Sequence, residues 1–301
     1  MNEVIRTESL TKKYRTLRAL DGVNLDIREG SVYALVGPNG AGKTTLIRIL
    51  MNLIQASSGC ATVLGMNSKN VRGSAFTQIG YVSENQEIPE WMRVGELLDY
   101  LHGFYPTWDT SLEANLLIQF SLPRDRKVKA LSRGMRMKLA LASALAFHPK
   151  LIVLDEPFGG LDPLVRDELI ASLRERAQEA TVFLSSHDLT EIESFASHIG
   201  YLDNGRLQFS EDLGALLSRF REIELVFDAL PQFSDALPAA WLQTKQSSTS
   251  VTFVEAHFEQ QKTADQIHRV FANVKDILYK PMTLRSVVLA MARRSGEVSL
   301  Q

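Results

Sequence analysis

Short, almost uninterrupted apolar runs recur along the chain at Val32 to Val36, Ile79 to Val82, Leu151 to Leu154, Thr181 to Leu184 and Ile199 to Leu202. Stretches of helical periodicity separate them. Strands apolar on both faces, with helices between, predict a mostly parallel sheet covered on both sides. The portion from about Glu87 to Pro149 is dominated by helical periodicity and reads as a helical subdomain inserted into this α/β core. After about Arg221 the pattern changes to alternation over Glu222 to Phe227 and Ser250 to Val254, a helix-like segment from Gln260 to Phe271, and a strand from Val274 to Tyr279. This predicts a main domain over 1–218 and a small C-terminal α+β domain over 221–301. The polar run Gln243 to Ser250 lacks an apolar period and is expected to be a loop.

At 301 residues, with 45% hydrophobic and 23% charged side chains, the chain has the composition of a globular protein with a well-buried core. A formal charge of -2 provides no overall field toward nucleic acid, and no direct nucleic-acid partner is expected. Cys60 is the single cysteine, which excludes an intrachain disulfide and suits a reducing compartment. No apolar run approaches the roughly 18 residues of a membrane span. The start, MNEVIRTESLTKKY, lacks the apolar centre of a secretion signal, so a cytoplasmic location is expected.

The chemistry begins at Gly37-Pro38-Asn39-Gly40-Ala41-Gly42-Lys43-Thr44, which follows an apolar strand and opens a helix with Leu46, Ile49, Leu50, Leu53 and Ile54 on one face. Glycines let the backbone turn its N–H groups inward around a phosphate. Lys43 reaches the β- and γ-phosphates, and the Thr44 hydroxyl can ligate Mg²⁺. Thr45 follows on the same helix N-terminus, whose dipole favours anions, and belongs to the same nucleotide-binding set.

The run Leu151 to Leu154 leads into Asp155 and Glu156, placing two carboxylates at the carboxyl end of a buried strand, where ligands bind in open α/β sheets. Asp155 suits Mg²⁺, and Glu156 suits polarisation or deprotonation of an attacking water. Such a pair in isolation is more often a solvated turn; the glycine loop upstream favours the site. Asp162 before Pro163 is the start signal of a helix over LVRDELIASLRERA. Ser132 can cap the helix that follows it in the same way.

Leu131-Ser132-Arg133-Gly134-Met135, LIVLDE and GGLDP follow the glycine loop in an order that resembles the ATP-binding subunits of ABC transporters, over about residues 3 to 215. The fold implied is a P-loop NTPase core of ABC ATPase type, α/β, with the helical insertion and the C-terminal α+β domain. The resemblance implies ATP and Mg²⁺ bound by a pair of subunits, identical or not, with Ser132 and Gly134 of one completing the ATP site of the other. Asp162 would contact the opposite subunit. His187 matches a histidine that contacts the γ-phosphate and, with Lys43 and Glu156, completes the implied catalytic set. Tyr14 matches an aromatic on which adenine stacks.

FYPTWD, RMKLAL, EPFGGLDP and PMTLRSVVLAMAR look most like exporter subunits that serve a separate transmembrane permease at the cytoplasmic face of the membrane. The alternative within the same superfamily is a soluble ATPase acting on ribosome or DNA. Arg133 departs from the usual LSGGQ; it either points to solvent or contributes to ATP binding across the dimer. Glu84 stands where the family usually has a glutamine that contacts Mg²⁺ and the attacking water and links the core to the helical subdomain, with Gln86 two residues later. Aromatics between Glu90 and Trp108 serve either the subdomain core or a docking surface for the membrane partner.

Overall fold

The computed structural model describes residues 2–231, 237–238 and 241–294. The chain divides into two compact units, Met1–Ser210 and Glu211–Gln301. Strands of the first unit are β1 (Glu3–Tyr14), β2 (Leu17–Arg28), β3 (Val32–Val36), β4 (Ser58–Val63), β5 (Met66–Asn67), β6 (Ile79–Val82), β7 (Leu151–Asp155), β8 (Thr181–Ser186), β9 (His198–Asp203) and β10 (Arg206–Asp212), whose last two residues fall in the second unit. Its helices are α1 (Lys43–Leu50), α2 (Val94–His102), α3 (Thr110–Gln119), α4 (Arg133–Leu145), α5 (Pro163–Arg176) and α6 (Leu189–Glu193).

The apolar runs form one sheet in the order β10-β9-β3-β8-β7-β6, in which β3 is parallel to β8 and β9, and β7 to β8 and β6. Every residue of β3, β7 and β8 is buried, as their apolar character on both faces requires. Parallel pairing aligns the carboxyl ends of these strands along one edge. A separate antiparallel sheet, β2-β1-β4-β5, contributes Ile5, Leu10, Leu25, Ile27 and Val63 to a core shared with α1.

Helix α1 stops earlier than its apolar spacing suggested. Met51 closes it, Asn52 adopts φ 56°, and the amides of Asn52 and Leu53 bond back to the carbonyls of Ile49 (3.1 Å) and Arg48 (2.8 Å). This is a Schellman termination, with asparagine in the left-handed position. Leu53 consequently leaves the helical face and is 55% exposed.

In the helical insertion, Asp109 Oδ1 accepts the amides of Ser111 (2.8 Å) and Leu112 (2.9 Å) to start α3. The Ser132 hydroxyl accepts from the Met135 amide (3.2 Å) to start α4, as the sequence suggested. Asp162 does the same for α5 through Val165 (3.2 Å), with Pro163 at the first helical position.

The second unit comprises α7 (Leu213–Arg219), β11 (Arg221–Phe227), β12 (Trp241–Gln246), β13 (Ser250–Glu255), α8 (Gln260–Val270), β14 (Val274–Pro281) and α9 (Leu284–Arg294). Its antiparallel sheet has the order β12-β13-β11-β14, and Ile223, Leu225, Phe253, Ile267 and Phe271 form its core. Helix α7 belongs here because Arg219 pairs with Glu211 (2.8 Å) and accepts the Phe258 amide on its carbonyl (2.9 Å). The expected loop over Gln243 to Ser250 is a turn only over 247–249; its first half is edge strand β12, bulged between Leu242 and Lys245 with Gln243 at φ 53°. An edge strand buries little of its length, and a bulge breaks alternation, so the apolar period was absent.

Candidate active site

The glycine loop joins β3 to α1 at the aligned sheet edge. A methyl group on Gly37 would lie 2.0 Å from the Leu202 carbonyl oxygen, and one on Gly42, at φ 111°, would lie 2.4 Å from that of Ala19. Only glycine fits either place. No side chain caps α1, so its first amides face the loop as an anion cradle. The Lys43 ammonium is buried and has one acceptor for each of its three protons: Gly37 O (2.7 Å), Pro38 O (3.2 Å) and Glu156 Oε1 (3.0 Å). Asn39 and Gly40 form the exposed rim, and Thr45 is half-buried behind Thr44.

Across from the loop, Asp155 ends β7. Its Oδ1 accepts from the hydroxyls of Thr44 (3.1 Å) and Ser185 (2.7 Å). Burial pushes the Asp155 carboxyl above its ordinary range, the two hydroxyls oppose the shift, and the neighbouring Glu156 charge adds to it. Hydroxyl and carboxylate oxygens of this kind fit a hard divalent cation, whose charge would favour ionised Asp155.

Glu156 follows in the left-handed region, φ 51°, and its amide donates to Ser185 Oγ (3.0 Å). Its Oε2 meets His187 Nδ1 at 2.7 Å and accepts the His187 amide at 3.3 Å. One carboxylate thus links the loop lysine to the end of β8. Sequence reasoning did not single out Ser185, which is fully buried and pairs in parallel register with Asp155. The serine pair closing an otherwise apolar strand was the available signal.

A second network was also missed. Glu191, buried in α6, lies 3.3 Å from Arg166 Nε of α5 and accepts the Ser186 hydroxyl (3.2 Å) immediately before His187. Burial pushes the Glu191 carboxyl upward; the Arg166 charge and the Ser186 hydroxyl hold it down.

The remaining expected residues lie elsewhere in the first unit. Tyr14 is exposed at the tip of the β1–β2 hairpin with the Lys12 ammonium 4.9 Å from its ring centroid; the second strand of that hairpin passes Gly42 at Ala19 and Leu20. Ser132 and Asp162 are exposed at the starts of α4 and α5, and Gly134 packs on Val165, where a methyl group would meet Cγ1 at 3.2 Å. Among the described residues, these three make no hydrogen bond or ion pair with Lys43, Asp155, Glu156 or His187.

Glu84, expected as a nucleotide and metal ligand, follows β6 two residues after Val82, which pairs with Leu154 on the strand that carries Asp155. It is exposed in the turn after β6 and has no hydrogen bond or ion pair among the described residues. Gln86, also exposed, closes that turn, its Oε1 accepting the Ser83 amide (3.2 Å).

A parallel sheet with a glycine cradle, a buried lysine and two acids on a neighbouring strand end defines a P-loop nucleoside triphosphatase. The sequence pattern described as ABC transporter matches residues 20–159. A bacitracin transport ATP-binding protein of Bacillus licheniformis is 33% identical over 215 residues, covering 69% of each chain. A sulfate/thiosulfate import ATP-binding protein of Rhodopseudomonas palustris is 35% identical, covering 68% of this chain and 62% of its own. A bacterial ABC transporter cassette solved as a dimer is 25% identical with a TM-score of 0.63, covering 69% of this chain and 98% of its own. The chain belongs to the ATP-binding subunits of ABC transporters and is an ABC-type ATPase.

Proposed function

We propose that two subunits of this type sandwich two ATP molecules, each between the Lys43 side of one and the Ser132 side of the other, and that closure and reopening of the pair power export through a separate membrane subunit. The observation carrying the hydrolytic part is Glu156, poised between Lys43 and His187 at 3.0 and 2.7 Å.

Lys43 and the uncapped amides of α1 neutralise and orient the ATP phosphates. Glu156 polarises or takes a proton from the attacking water, and His187 holds that carboxylate in place. Mg²⁺, held by Thr44 and Asp155, would supply charge neutralisation at the phosphate oxygens. Gln86, already turned back onto the edge of β6, fills the linking position in place of Glu84. Tyr14 offers an exposed ring for adenine.

Pairing is supported by the exposure of Ser132 and Asp162 with no function inside their own chain beyond capping, and by the dimeric cassette of the same fold. The exposed Trp91, Tyr100 and Phe104 supply a docking face for a membrane partner, whereas Trp108 is buried and Tyr105 stacks on Phe147 at 4.0 Å as core. No helix among the described residues is long and apolar enough to cross a membrane, which fits peripheral attachment at the cytoplasmic face. Export is favoured over import by FYPTWD and PMTLRSVVLAMAR, although the relatives' names include both a transporter of bacitracin and an importer of sulfate.

The test is Glu156→Gln. It keeps the shape and removes the base, so ATP should trap a dimer on a sizing column while turnover falls by roughly 100-fold or more. Wild-type turnover in this variant would contradict the assignment. Direction is read in inverted membrane vesicles containing the separate membrane subunit, where export appears as ATP-driven uptake.

A further inference from the structure

Arg133 is the residue of the LSRGM segment that the reading above leaves without a task. The residue is exposed, yet its guanidinium lies against the turn before α5. A methyl group on Gly160 would lie 2.8 Å from Arg133 Nη1, 3.1 Å from Cζ and 3.5 Å from Nη2, and one on Gly159 would lie 3.9 Å from Nη2. The guanidinium therefore lies beside the bare α-carbon of Gly160, at the place a side chain there would occupy. Gly160 itself is at φ 68°.

The contact has companions. Gly134 packs on Val165 of α5, and Lys138 forms an ion pair with Glu168 one turn further along. The start of α4 is thus laid against the turn before α5 and then along that helix. The turn's internal amide bonds, Gly159 to Glu156 O and Leu161 to Phe158 O, measure 3.3 and 3.2 Å, and its Phe158 and Leu161 side chains are buried. It carries Glu156 at one end and Asp162 at the other.

We propose that Arg133 is a positioning residue of its own chain, clamping the 156–162 turn through Gly160 so that Ser132, Asp162 and Glu156 are held in one arrangement. A guanidinium suits this because it is planar and weakly hydrated, and it packs on a flat peptide surface where an ammonium would keep its water. The functional importance of the clamp, though not its existence, rests on the reading that Ser132 and Asp162 act between two subunits.

The experiment is amide hydrogen exchange on the full chain without nucleotide, followed by ATP-driven dimerisation of the same variants. Arg133→Gly should raise exchange at Gly159 and Leu161 by about tenfold while leaving β7 unchanged. Gly160→Asn, a side chain that tolerates left-handed φ, should do the same by displacing the guanidinium. In the double variant, asparagine fills the vacated space, and the change should fall short of the product of the single effects by about fivefold. Unchanged exchange in Arg133→Gly together with weakened dimerisation would overturn the clamp in favour of a contact across the interface. Multiplicative effects in the cycle would equally sink it, since uncoupled residues behave that way. Absence of ATP-driven dimerisation in the wild type bears on the functional reading alone, because exchange is measured without nucleotide.

Discussion

Replacing Ser185 by alanine removes one oxygen from the interior and should disturb both acids of the site. Ser185 is fully buried; its hydroxyl donates to Asp155 Oδ1 at 2.7 Å and accepts the Glu156 amide at 3.0 Å. A hydrogen bond to a charged acceptor contributes about 1.5–3 kcal/mol, and a buried amide left without a partner costs about 1–3 kcal/mol. Against these stands the strain of Glu156 at φ 51°, on the order of 1–2 kcal/mol, which is relieved if the residue moves. A net loss of about 3 kcal/mol follows. Thr44 remains on Asp155, so the carboxylate is not stripped entirely.

Urea unfolding monitored by near-ultraviolet circular dichroism measures that loss as a shift in midpoint with little change in slope. The same amide bond anchors Glu156, so kcat should fall about tenfold, equivalent to roughly 1.4 kcal/mol of barrier, while KM for ATP changes little because Lys43 and the glycine loop are untouched. A destabilised variant with wild-type kcat would refute the idea that Ser185 holds the base in place. A fall in affinity alone would refute it as well.

The Arg166–Glu191 pair makes a pH-dependent prediction. Burial raises the Glu191 carboxyl in the folded chain, so the folded state holds its proton above the unfolded range, and stability from this group is lost as pH rises through the folded value. Arg166→Gln removes the opposing charge and should steepen that loss: little cost near about pH 4, and about 2 kcal/mol at neutral pH, between the values for exposed and fully buried pairs. Urea melts at the two pH values check this, and an equal cost at both would rule it out. In the loop after β6, Gln86→Ala should lower ATPase activity by about tenfold, whereas Glu84→Ala should leave it within about twofold; the reverse order in a steady-state assay would restore Glu84 to the site.

Much of this site was legible in the chain because its parts are local. The glycine spacing before Lys43 and Thr44, the apolar run before Asp155 and Glu156, and the caps at Ser132 and Asp162 are decided by backbone sterics and hydrogen bonds within a few residues. The apolar strands were equally clear, since a strand buried on both faces must be apolar throughout. Edge strand β12 was hidden for the converse reason: Thr244, Lys245 and Gln246 are exposed, so burial imposes no pattern on them.

Only the tertiary structure decided how the parts meet. Ser185 reaches Asp155 because β7 and β8 pair in parallel with those residues opposite each other, a register set by packing. The same edge brings Glu156 between Lys43 and His187, residues far apart in the chain. Arg133 shows the division most clearly. Its departure from LSGGQ is plain in the sequence, but the approach of its guanidinium to Gly160 follows from the packing of α4 beside the turn before α5. Local chemistry is written in short spans of sequence, whereas the pairing of distant groups follows from which surfaces can be buried together.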